Sequence, residues 1–71
     1  MPRKVRELKA DLRRAGFLEV RGRGKGSHSF WRHRDYPDLR ATLSGQDGQD
    51  VRDYQEAQIA LVVVEAGRRR G

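Results

Sequence analysis

A shortage of apolar side chains is the strongest constraint on what this chain can fold into. Only 35% of its 71 residues are hydrophobic, which suffices for one small core and leaves nothing for a second. We predict one domain over residues 1–67, followed by a short basic tail at residues 68–71. No apolar run approaches the length of a membrane helix, and no signal-peptide core follows the N-terminus, so we expect no membrane association.

The absence of cysteine narrows the chemistry further. With no cysteine in the sequence, disulfides, thiolate catalysis and Cys-ligated zinc are excluded. A reducing compartment such as the cytoplasm is therefore expected. The chain is also too short for the common nucleotide-binding folds, so we expect no small-molecule cofactor.

The charge of the chain is strongly asymmetric. Its 16 Lys and Arg residues outnumber 10 Asp and Glu residues, which gives a net charge of +6. Residues 1–34 carry eleven basic and three acidic side chains, whereas residues 35–67 carry two basic and seven acidic ones. Most of the cations are Arg, whose planar guanidinium matches phosphate oxygens better than an ammonium does. The basic half predicts a surface for nucleic acid, although a merely solubilising surface would have the same composition.

The first element predicted by the hydrophobic pattern is an amphipathic helix over residues 3–15. Its apolar residues recur at helical spacing and form one stripe, namely Val5, Leu8, Leu12 and Ala15. Pro2 suits the first turn of a helix, and Gly16 suits its left-handed end. Arg6, Arg13, Arg3 and Arg14 fall away from the stripe, so we expect all four to face solvent.

Three short strands are predicted next. Residues 17–21, 27–33 and 39–43 are rich in strand formers, and the short connections between them favour an antiparallel meander. Phe30 and Trp31 are adjacent on the second strand and must face opposite ways. We expect one of them in the core, while the other could stack on a base.

A second helix is predicted over residues 51–66, with Asp50 as its N-cap and Gly67 as its end. Residues 61–64 could instead form a strand, because the β-branched residues in this run resist helix. We expect one face of the helix to be buried, formed by Val51, Tyr54, Ala57, Leu61 and Val64. The resulting α-β-β-β-α order predicts a two-layer α+β domain with both helices on one face of the sheet.

The segment Gly24-Lys25-Gly26-Ser27-His28 carries the most chemical information. A glycine-rich turn brings backbone N–H groups close to an anion, and Arg23 and Lys25 supply positive charge. His28 follows directly, and an imidazole can exchange protons near neutral pH. Cleavage of RNA without a metal needs this combination of a proton-transfer group and cations on the phosphate. The alternative is a basic hairpin loop with a hydrogen-bonding histidine at the end of a strand.

The two histidines do not suggest a metal site. His28 and His33 lie five residues apart on the predicted second strand, so their side chains should point to opposite faces. No zinc-binding pattern of His and Glu residues is present. We therefore predict no metal.

The motifs together resemble the HicA family, small mRNA interferase toxins of bacterial HicA/HicB toxin–antitoxin pairs. The resemblance covers residues 3–66 and rests on Arg3-Lys4-Val5-Arg6-Glu7-Leu8, Ala15-Gly16-Phe17 and Lys25-Gly26-Ser27-His28 followed by Phe30. It implies a double-stranded-RNA-binding-domain-like fold in the order α-β-β-β-α. It also implies an endoribonuclease that cleaves mRNA, and a HicB-like antitoxin protein as partner.

The resemblance assigns residues one by one. His28 matches the catalytic histidine of the family, Gly26 and Ser27 match the residues that present it, and Lys25 matches a common basic position. Two positions depart from the pattern. His33 is followed by Arg34 where proline is usual, and Gln46 stands where many members carry a second histidine.

Two other interpretations remain open at this stage. A double-stranded-RNA-binding module would share the fold and a loop histidine, but such modules normally carry a Lys cluster at the start of the second helix. Here that start contains Asp50 and Asp53. A protein that binds the antitoxin but has lost catalysis would also fit the two departures from the family pattern.

Overall fold

The structure is a computed structural model that describes residues 3–21 and 28–70. Its elements follow in the order α1 (Val5–Arg14), β1 (Phe17–Glu19), β2 (Ser29–His33), β3 (Arg40–Leu43) and α2 (Asp53–Arg70). The predicted α-β-β-β-α order and the α+β class are confirmed. No described helix combines the length and apolar character of a membrane span.

The three strands form the predicted antiparallel meander. They lie in the order β1-β2-β3, with Phe17 opposite His33 and Ser29 opposite Leu43. Because side chains alternate along a strand, Trp31 lies on the same sheet face as these residues and is buried against the helices. Leu18 lies on the opposite face, where it is 59% exposed.

Helix α1 follows the prediction closely. It begins after Lys4, whose backbone N–H donates to Oε2 of Glu7 over 2.6 Å, a bond that satisfies one of the free donors at a helix start. It ends before Gly16, which has φ +100° and so adopts the left-handed conformation that favours glycine. The position predicted for Pro2 lies outside the described residues.

One core lies between the helices and the inner face of the sheet. The three stripe residues Val5, Leu8 and Leu12 are almost completely buried, as the helical spacing predicted. They pack with residues of every strand, of α2 and of the segments just before β3 and α2, namely Phe17, Trp31, Leu39, Leu43, Val51, Ile59 and Ala66.

The predicted buried face of α2 is wrong. Tyr54, Leu61 and Val64 are 57%, 71% and 61% exposed, and Ala57 is also exposed. The helix instead buries Gln55, Ile59 and Ala66. Residues 57–64 are apolar almost all round the helix, so their pattern does not select one face. Because Gln55 is polar, the hydrophobic pattern does not identify it as the first residue of the stripe that is buried.

The predicted ends of α2 are also wrong. Asp50 does not cap the helix, because it pairs with Lys4 in an isolated β-bridge and α2 begins three residues later. Gly67 does not end it, and the helix continues to Arg70. The last turn is held by Arg69, which donates two hydrogen bonds to Asp38 over 2.9 and 2.8 Å and one to Glu65 over 3.0 Å. The alternative of a strand at residues 61–64 is excluded.

Candidate nucleic-acid interface

His28 lies at the surface, directly before the first residue of β2. The expectation that both histidines belong to this strand is therefore wrong for His28. Its side chain is exposed, a position that suits a reaction on a polymer at the protein surface. The predicted phosphate-binding residues Arg23, Lys25, Gly26 and Ser27 lie outside the described residues, so their placement beside His28 stays a prediction.

Both helices begin at the end of the sheet that carries His28. Ser29 is paired with Leu43, so His28 and Ser44 are the next residues on the two strands. Ser44 accepts a 2.6 Å hydrogen bond from the side-chain amide of Gln55, in the first turns of α2. Gln55 is only 6% exposed. This buried amide therefore fixes the start of the loop that follows β3, next to His28.

The start of α1 also packs at the end of the sheet that carries His28. A Cβ on Gly45 would lie 3.2 Å from Cγ2 of Val5, so the loop after β3 packs directly on the first turn of the helix. Two backbone bonds fasten them together, from the N–H of Val5 to Gln49 over 2.9 Å and from the N–H of Arg6 to Asp47 over 3.1 Å. Arg6 is thereby placed at the end of the domain that carries His28.

Most cations around α1 are already neutralised by carboxylates. The hydrogen bond from Arg3 is the main reason that the pKa of Asp11 lies below its usual value, and the bond from Lys9 does the same to the pKa of Asp47. The ion pairs at this helix are Arg3–Asp11, Arg14–Asp11, Lys9–Asp47 and Lys4–Asp50. A cation that is already paired binds a phosphate less strongly, because it must first break its ion pair with the carboxylate.

Arg6 and Arg13 differ from their neighbours on α1. Both are exposed, and neither forms an ion pair with any residue that the structure describes. They are seven residues apart, which places them on one face of the helix about 10 Å apart along its axis. Four arginines of this segment were predicted to face solvent, and two of them, Arg3 and Arg14, are paired with Asp11. Arg6 and Arg13 are thus the two that remain available to a polyanion.

Arg13 also packs against Trp31, one of the two adjacent aromatic residues of which the sequence predicted that one lies in the core. Its guanidinium carbon lies 5.1 Å from the ring centroid of Trp31, within the range of a cation–π contact. Trp31 is 2% exposed, and its Nε1 donates to Oγ of Ser29 over 3.0 Å. Trp31 is therefore the core member of the aromatic pair, whereas Phe30 is half-buried on the other face of the sheet.

His33 has a structural position. It is 2% exposed, and its Nδ1 accepts a 3.1 Å hydrogen bond from the N–H of Asp35. Its Nε2 lies 2.8 Å from the carbonyl oxygen of Ala15 and donates to it, which assigns the neutral tautomer with the proton on Nε2. The ring stacks on Tyr36 at 4.7 Å and meets the edge of Phe17 at 5.0 Å.

One pair near the site was not foreseen from the sequence. Gln55 and Ser44 fix the loop beside His28, yet a glutamine on a helix gives no sign of burial unless Ile59, four residues later, is recognised as part of the same stripe. Among the described residues, no cluster of three or more His, Asp or Glu side chains is close enough to hold a metal ion.

The chain is similar to one described protein family over most of its length. A family model described as the HicA toxin of bacterial toxin–antitoxin systems matches residues 5–66. The matched region includes α1, all three strands and most of α2. No curated protein and no solved structure matches the chain.

Proposed function

The chain belongs to the HicA family of toxins from bacterial toxin–antitoxin systems, and we propose that it is a metal-independent endoribonuclease that cleaves mRNA with His28 as its catalytic residue. One observation carries the proposal. An exposed histidine lies at the end of the sheet where both helices begin, and the accessible Arg6 lies in the first turns of α1 at that same end. Arg13, in the last turn of α1, continues the line of accessible cations along the helix, away from His28. A cognate antitoxin accompanies a toxin of this family, and we propose that it is a HicB-like protein.

The chemistry requires one proton-transfer group and a stabilised phosphate. The imidazole of His28 accepts the proton of a ribose 2′-hydroxyl while the 2′-oxygen forms a bond to phosphorus. The bond from phosphorus to the 5′-oxygen then breaks, and the proton is returned to that oxygen directly or through water. The products are a 2′,3′-cyclic phosphate and a 5′-hydroxyl. Correct placement and a matched proton acceptor are the main sources of rate in such a reaction.

The cations supply binding and charge stabilisation. Arg23 and Lys25 would neutralise the charge that develops on the phosphate, and Gly26 and Ser27 would present the histidine to it. Arg6 and Arg13 would follow the backbone of the RNA along α1, from the end that carries His28 toward the other end of the helix. Their spacing of about 10 Å along the helix exceeds one phosphate-to-phosphate step, so we expect them to contact different phosphates.

The rival function, a double-stranded-RNA-binding module, fits the start of α2 poorly. Such modules grip phosphates there with lysines, whereas the first turn of α2 carries Asp53 and Glu56. These carboxylates would repel a duplex backbone. Tight binding of duplex RNA without cleavage would favour the rival, and stable antitoxin binding by a nontoxic chain would favour a protein that has lost catalysis.

We expect the purified chain to cleave a synthetic mRNA in the presence of excess EDTA. The proposed reaction uses only side chains and water, so chelation should leave the rate unchanged. End analysis should find 5′-hydroxyl and cyclic phosphate termini, and addition of the antitoxin should stop the reaction. Cleavage that disappears in EDTA and returns with Mg²⁺ would contradict the proposal.

We expect Arg6→Gln and Arg13→Gln each to weaken RNA binding and to lower its dependence on salt. The slope of log affinity against log salt falls by about 0.7 for each phosphate of a single strand that the protein no longer neutralises. Binding is measured in a His28→Ala background, so that the RNA stays intact. Arg14→Gln is the matched control on the same helix, because Arg14 is already paired with Asp11. An equal slope change in all three variants would show that α1 attracts RNA only through its total charge.

A further inference from the structure

Strand β3 is an edge strand whose outward backbone groups can be assigned. The N–H of His33 donates to the carbonyl of Leu39, which makes this a hydrogen-bonded pair. Such pairs recur at every second residue of an antiparallel ladder. Ala41 and Leu43 are therefore the residues that bond to β2, while the N–H and C=O groups of Arg40 and Thr42 point away from the sheet. Neither residue has a backbone partner on that side within the described parts of the chain.

A groove runs between this edge and helix α2. It has a volume of about 380 Å³ and is bounded on one side by Arg40, Ala41 and Thr42. The other side is formed by α2, through Gln58, Ile59, Leu61 and Val62. Leu61 is 71% exposed, more than any other large apolar side chain of the described residues. The apolar side of the groove at Leu61 thus lies directly beside the outward backbone groups of Arg40 and Thr42, which have no backbone partner among the described residues.

We propose that this groove receives an extended strand of the antitoxin, which adds to β3 as a fourth strand of the sheet. The inference rests on the proposed function only in that the partner is the antitoxin. Exposed sheet edges are templates for strand addition, in which backbone hydrogen bonds give affinity and side-chain contacts give specificity. Here the backbone groups of Arg40 and Thr42 supply the bonds, and Leu61 and Val62 supply the apolar contact.

The geometry also predicts the sequence of the incoming strand. Its residue opposite Ala41 must face the helices, because directly opposed residues share one face of a sheet. That residue lies against Leu61 and Val62 and should be apolar. The residue opposite Arg40 lies on the outer face and should be acidic, since Arg40 is the one charged side chain among the described residues that line the groove.

An antitoxin strand fits the groove better than RNA or a second copy of the chain. Phosphates would leave the apolar wall at Leu61 uncovered and cannot satisfy both the N–H and the C=O groups of the edge. A second copy carries the same net charge of +6, and repulsion between two such chains opposes a dimer. An acidic partner is attracted by the same charge.

Docking in this groove also explains how the antitoxin would reach the catalytic residue. Strand β3 runs toward Leu43, which is paired with Ser29, and His28 precedes Ser29. A segment that continues past Thr42 in this direction arrives at Ser44, beside His28. The groove would therefore hold the antitoxin, while the residues that adjoin the docked strand cover the site.

Two substitutions test the groove without touching the proposed RNA site. Leu61→Lys places a charge on the apolar wall, and Thr42→Pro removes an outward N–H that makes no bond to β2. Each should raise the Kd for the antitoxin by at least about tenfold, as expected when a central residue of an interface is disrupted. Leu18→Lys is the matched control, since Leu18 is 59% exposed on the other face of the sheet, and its Kd should change by less than about twofold.

The affinity is measured by calorimetry with this chain and its cognate antitoxin, after circular dichroism has shown that each variant is folded. Should Thr42→Pro unfold, Leu61→Lys decides alone. Unchanged affinity in the folded groove variants overturns the proposal, as does loss of antitoxin binding in Leu18→Lys alone. A wild-type dimer that Leu61→Lys dissolves, or RNA binding weakened in place of antitoxin binding, overturns it too. RNA cleavage is scored separately, so an inactive wild type would refute the proposed activity and leave the docking result standing.

Discussion

We expect His28→Ala to lower the rate of RNA cleavage by at least about a hundredfold and to abolish growth arrest when the chain is expressed without its antitoxin. A positioned proton-transfer group typically contributes 10²- to 10⁴-fold to the rate, and no second histidine can take over, because His33 is buried and has both ring nitrogens engaged. The loss should appear in the rate of bond cleavage and leave the affinity for RNA nearly unchanged.

The interpretation of this variant depends on its being folded. His28 is exposed and lies outside β2, so its removal should change the free energy of unfolding by no more than about 0.5 kcal/mol. Gln58→Ala is a suitable control, because it also shortens an exposed, uncharged polar side chain and should keep wild-type cleavage. If His28→Ala cleaves RNA and arrests growth as the wild type does, His28 is not the catalytic residue.

The two helices show which features of this fold are predictable from sequence. Helix α1 has one clear stripe, Val5, Leu8 and Leu12, and the burial of those residues follows from their spacing. Helix α2 is apolar on nearly every side between Ala57 and Val64, so burial is decided by the sheet against which it packs. That information lies in long-range contacts, which spacing along one helix does not contain.

The same distinction applies to the interface. The exposure of Arg6 and Arg13 follows from helical geometry, but their freedom from carboxylates does not. It depends on which acidic residues the loop of residues 44–50 brings to α1, and that loop leaves Lys9 beside Asp47 and Lys4 beside Asp50. The burial of His33 is also a tertiary property, because its ring bonds to the carbonyl of Ala15 and packs against Phe17, both far from it in sequence.

The role of His33 leads to a second large effect, on stability instead of on catalysis. His33→Ala removes a buried ring that stacks on Tyr36 and meets the edge of Phe17. It also leaves the carbonyl of Ala15 and the N–H of Asp35 without their partner. Truncation of a buried aromatic side chain costs about 3–5 kcal/mol, whereas a domain of this size has a total stability of only about 3–5 kcal/mol. We therefore expect His33→Ala to be largely unfolded at 37 °C.

Urea denaturation followed by circular dichroism measures this effect, and the two histidines provide their own comparison. His28→Ala makes the same chemical change at an exposed position and should unfold at nearly the wild-type urea concentration. His33→Phe keeps a buried aromatic ring, slightly larger than the imidazole, but leaves the same two polar groups unpaired. Each unpaired group costs about 1–3 kcal/mol, so this variant should be destabilised, but by less than His33→Ala. A folded His33→Ala that lost only cleavage would overturn the structural role, because it would place His33 in the catalytic machinery. Loss of activity that tracks the unfolded fraction in both His33 variants would instead show that this histidine serves the reaction only by holding α1 to the sheet.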